Sequence, residues 1–119
     1  MDKLDLNFLN QIFNTLGFSE AKTEKAIKDL TELHAMQTTD LLIAGLDEKL
    51  YKELEMLTEN KTGADRTKII GEFLKKYYPQ NVFAEKEKNA AEIVMGNFAK
   101  FAMDNATAEQ KIKIARLVA

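Results

Sequence analysis

His34 is the only histidine in the chain, and near neutral pH it is the side chain best suited to act as a general base or a metal ligand. It lies within Ala26-Ile27, Leu30, Leu33-His34 and Gln37, a spacing that places these residues on one face of a helix. Two roles compete there. One is a base or ligand; the other, which the sequence favours, is a neutral imidazole hydrogen-bonded to a neighbouring backbone group or to Gln37. A metal centre would need further soft or borderline ligands, and the chain has no cysteine. The Glu-x-x-His signature of helical di-iron proteins fails as well, because position 31 holds Thr31.

Acidic residues cluster at Asp47-Glu48, at Glu53 with Glu55 and at Glu85 with Glu87. Residues one or two apart on a helix do not face each other, so none of these is a paired acid and base. Several instead fall one turn from a lysine, as in Glu20, Glu24 and Lys28, or Glu48 and Lys52, the pattern of a solvated helix face. Lys75-Lys76-Tyr77-Tyr78 has the residue types to stack bases, yet the same run suits a helix end with its rings on the core edge and its lysines in water. The sequence contains no phosphate-binding loop, no Gly-x-Ser-x-Gly elbow and no dinucleotide fingerprint. The expectation is therefore a protein that is not an enzyme, with no cofactor and no metal.

The totals narrow the partner classes. Seventeen basic residues against nineteen acidic give a net charge of -2, and Arg66 and Arg116 are the only arginines, a balance that does not suggest a nucleic-acid partner. No stretch reaches the apolar length a bilayer-spanning helix needs, and MDKLDLNFLN lacks the uninterrupted apolar run of a signal peptide. The expected setting is cytoplasmic, with no membrane partner.

The elements that must position these residues are helices. At 119 residues, 45% apolar and 30% charged, the chain has the size and composition of one globular domain, and five glycines and one proline leave few places for turns. Periodicity and caps predict helices near 6–16, 20–44, 48–58, 65–77, 82–103 and 108–118. Residues 1–119 should thus form a single compact all-α bundle of five to six helices with short connections. Asp5, Ser19, Asp47 and Asn81 are the expected N-caps, Gly17 and Gly45 the stops, and Thr107 with Gln110 a capping box. The second helix is expected to bury Ala26, Ile27, Leu30, Leu33, His34, Gln37, Leu41 and Ala44. Because Leu41, Leu42 and Ile43 face every direction, that helix either ends buried on all sides or breaks near Thr38-Thr39.

The fifth helix spreads its apolar residues, among them Ala90, Val94, Met95, Phe98 and Phe101, over an arc of about 220°, wider than a one-sided helix needs. Either other helices surround it, or part of the arc meets a second chain. Ile93, Met103 and Leu117 are then the interface candidates, and a homodimer the partner expected of them.

Two resemblances bear on function. Leu16-Gly17-Phe18, preceded by an amphipathic helix and followed by Ala26-Ile27, Leu41-Leu42 and Gly45-Leu46, resembles a ubiquitin-associated domain over residues 8–46. That likeness implies peptide or protein recognition through the corner. The family turns between its second and third helices at Asn, Gly or Pro, whereas Thr31 to Gln37 here is a helix-forming run. Over residues 5–103, the order Phe-Leu-Asn-x-Ile, Leu-Gly, a long helix, Leu46-Asp47-Glu48, a polar break, Phe73-Leu74, then Pro79 and Asn81 is similar to a family of small uncharacterised helical bacterial proteins. The second likeness implies a fold and no activity.

Overall fold

The computed structural model describes residues 4–118. Six helices follow one another, α1 Leu6–Thr15, α2 Glu20–Ala44, α3 Glu48–Thr58, α4 Gly63–Tyr77, α5 Gln80–Asp104 and α6 Ala108–Val118, with no strand among the described residues. The all-α bundle expected from periodicity is the observed fold.

Local chemistry sets most of the boundaries. Asp5, Ser19 and Asp47 accept from the amides of Phe8, Lys22 and Leu50 at 3.0, 3.2 and 2.8 Å, satisfying N–H groups that the first turn leaves unpaired. Thr107 and Gln110 cap each other reciprocally, the Thr107 amide donating to Gln110 Oε1 and the Gln110 amide to Thr107 Oγ1. Asn81 is not a cap: α5 begins at Gln80 with Pro79 in the cap position and no side-chain bond there, since the proline ring has no acceptor, and the Val82 and Phe83 amides donate to the Pro79 carbonyl instead. The second helix does not break at Thr38-Thr39. Both hydroxyls donate one turn back, to the carbonyls of His34 and Ala35 at 2.9 and 3.0 Å, so their polar groups are satisfied within the continuous helix.

The core lies in two clusters. Leu9, Ile12, Phe13, Phe98, Ala102 and Ile114 form the first, with Ala26, Ile27, Leu30, Met95 and Met103 packed against it. Leu42, Leu54, Ile70, Phe73 and Leu74 form the second, joined by Leu46, Leu50, Tyr77, Val82 and Phe83. The 25-residue helices α2 and α5 run antiparallel between them, each contributing to one cluster at one end and to the other cluster at the opposite end. At 52 × 26 × 21 Å the molecule is drawn out along this pair.

Serving two cores makes each long helix turn its buried face along its length. Leu30 and Leu42 differ by about 120° around α2, and Phe83 and Ala102 by about 100° around α5, at about 100° per residue. This corrects the single stripe expected for the second helix: Leu33 is 46% exposed and Ala44 is exposed, while Leu42, outside that stripe, is buried. It also accounts for the wide arc of the fifth helix, whose two ends are covered from different directions.

One close approach fixes the second cluster. The Tyr78 hydroxyl donates at 2.8 Å to the Leu42 carbonyl at the end of α2, which also accepts from the Gly45 amide at 3.3 Å. Gly45 makes room for it, because a Cβ there would lie 2.9 Å from that oxygen. Burial, with Asp47 nearby adding to it, raises the Tyr78 phenol above its ordinary 10.0. The neutral phenol is thus favoured in the folded state, and the stability it contributes is complete below pH 10 and declines as pH rises beyond it. Tyr78→Phe should show less of this alkaline loss in denaturation curves taken across that range.

Leu9→Ala and Leu74→Ala should each cost roughly 2–5 kcal/mol, since both side chains are fully enclosed. Amide hydrogen exchange should separate them. Leu9→Ala should loosen α1 and α6 first and Leu74→Ala α3 and α4, whereas equal loosening of every helix by both would indicate one undivided core.

Candidate functional site

Between the clusters, α2 and α5 meet along a narrow seam. Ala90 and Ala91 are fully buried on α5, Val94 nearly so, and none of the three belongs to either cluster. Small side chains at this level allow close approach of the two helices. His34 sits opposite. Its Nε2 lies 2.8 Å from the Glu87 carbonyl oxygen, and since a carbonyl can only accept, Nε2 carries the hydrogen of this bond. The histidine therefore bridges α2 to α5 through a backbone group, as one of its two sequence readings anticipated. Among the described residues, every buried side-chain nitrogen and oxygen has a partner, and no group of three or more His, Cys, Asp or Glu is placed to hold a metal ion.

Over this seam runs a groove of about 480 Å³, within the size range of small-molecule sites. Leu4 and Leu6 close it at the α1 end and Leu42 and Phe83 at the other; Thr31, His34, Ala35, Thr38, Thr39 and Glu87 line it between. Its position follows from the fold. The first cluster covers α2 and α5 at one end, the second covers them at the other, and the middle of the pair is left without a third helix over it. The sequence offered one signal for this surface, which sequence reasoning did not use: three threonines, Thr31, Thr38 and Thr39, where a helix face would ordinarily carry charge or apolar bulk.

The residues singled out from sequence are dispersed. Met103 and Leu117 pack on the first cluster, while Ile93 is 39% exposed and, with Phe101 at 52%, leaves an apolar flank on α5. In Lys75-Lys76-Tyr77-Tyr78 the lysines are exposed and the rings turn inward. Tyr77 packs on Phe73 with centroids 4.7 Å apart and Tyr78 meets Phe83 edge-on at 6.4 Å.

The Leu16-Gly17-Phe18 corner closes α1. The Gly17 amide donates to Asn14 and the Phe18 amide to the Phe13 carbonyl, both at 3.0 Å, with Gly17 at φ +81°. This is a Schellman motif, in which glycine supplies the left-handed residue and the residue after it contacts the last turn. The Phe13 and Phe18 rings supply that contact, 5.0 Å apart. Leu16 and Phe18 both pack on the first cluster. Downstream, α2 continues unbroken through the position where a ubiquitin-associated domain would turn.

Among the described residues no helix is long and apolar enough to cross a membrane. Compared with models of protein families, with curated proteins and with solved structures, the chain has no match.

Proposed function

We propose that this is a non-enzymatic binding protein whose working surface is the groove at the middle of the α2–α5 pair. A cytoplasmic setting belongs to the same proposal. The observation that carries it is the combination of volume, apolar walls and a few convergent polar groups, the usual make-up of a ligand site. The walls are well supported. Leu42 belongs to the second cluster, Phe83 packs against it, and Leu4 packs against the first, so both ends of the groove are held by packed side chains. His34 and Thr38 at its base are pinned by hydrogen bonds to carbonyls.

A second reading, self-association, is favoured by the exposed flank of α5 that carries Ile93 and Phe101. A pair of copies docked there would cover apolar surface that neither cluster reaches.

The groove reading predicts that dodecanol shifts the amide resonances of Thr31, Ala35 and Thr39, and that Ala35→Phe, which fills the groove from an exposed helical position, abolishes those shifts while the fold survives. Unchanged spectra with the parent protein would end that reading. For self-association, light scattering over a concentration series should show a dimer that Ile93→Lys with Phe101→Lys returns to monomer. A monomeric parent at every concentration would contradict it.

A further inference from the structure

Resting on the groove reading, we infer that the ligand is a lipophilic amine, an apolar chain bearing a cationic, hydrogen-donating head. The hydrogen-bond donors of the lining threonines and histidine are already engaged. The hydroxyls of Thr31, Thr38 and Thr39 each donate to the carbonyl one turn back, at 2.9, 2.9 and 3.0 Å. Each threonine therefore has only lone pairs left to offer a ligand. His34 has spent its Nε2 hydrogen on the Glu87 carbonyl, and in the neutral imidazole that leaves Nδ1 as an acceptor. Glu87 adds a carboxylate that forms no ion pair among the described residues. Every polar side chain lining the groove is thus an acceptor, and one bears a full negative charge.

A ligand rich in acceptors, such as a carboxylate or a phosphate, would meet lone pairs and negative charge and lose its own hydration without replacement. An ammonium supplies three donors and a complementary charge. The remaining walls, Leu4, Leu6, Leu42 and Phe83, call for a hydrocarbon body. The groove holds about 480 Å³, room for a single hydrocarbon chain.

The test compares dodecylamine with dodecanol at neutral pH, where the amine is protonated, by calorimetric titration of the parent protein and of Glu87→Gln. Dodecylamine should bind at least about tenfold more tightly than dodecanol. Glu87→Gln, a change at a half-buried position that keeps the side-chain volume, should bring the two close to equal, chiefly by weakening dodecylamine. Equal affinities in the parent protein, or a preference for the amine that Glu87→Gln does not alter, would overturn the amine assignment and leave the groove reading standing. Failure of both compounds to bind the parent protein would remove the groove reading itself. Dodecanoate serves as the reverse probe, and binding of it as tight as that of the amine would also overturn the assignment.

Discussion

The rest of the structure depends on the antiparallel contact between α2 and α5. Each is 25 residues long, about 37 Å at 1.5 Å per residue, and each reaches both hydrophobic clusters. It is the most extensive contact between any two of the described helices. The fully buried Ala90 and Ala91 permit close approach, and the His34 imidazole ties one helix to the backbone of the other. Without this seam the two clusters would be linked only through the chain, and a hydrophobic cluster of five or six side chains is a marginal core by itself.

Dividing the core shapes the outside as well. A 119-residue globule has a radius of gyration near 13–14 Å by the usual size scaling, whereas the observed value is 17.4 Å. The extra length exposes more surface per residue, including large apolar side chains such as Leu33, Met36 and Phe101. It also creates a groove with the dimensions and composition of a ligand site. The groove exists because the two flanking clusters cover different faces of the long pair and stop short of each other. Its polar character follows from the same arrangement, since a stretch lacking a covering helix can carry threonines and a histidine where a packed core would require apolar bulk.

Much of this was legible in the sequence, for a physical reason. Caps, turns and helix ends are decided within a few residues, so Asp5, Ser19, Asp47 and the Thr107–Gln110 pair could be read directly, and the Gly17 stop proved to be the left-handed residue of a Schellman motif. What could not be read was the direction from which each helix is covered. Leu33 and Leu42 are chemically identical, and only the tertiary arrangement exposes one and buries the other. The wide arc of the fifth helix was visible, but its cause, two cores on diverging faces, was not. For His34 the kind of bond was foreseeable; its partner, 53 residues away, was not, and neither was the groove those two residues share with Leu4 and Phe83.

The most direct test of a two-core rod held by one helical seam is small-angle X-ray scattering, extrapolated to infinite dilution so that association does not contribute. The account predicts a radius of gyration at or slightly above 17.4 Å and a distance distribution with a long tail reaching the 52 Å axis. A value near 13–14 Å with a symmetric distribution would mean that the clusters fold onto each other as one core. The seam would then not be the frame of the molecule.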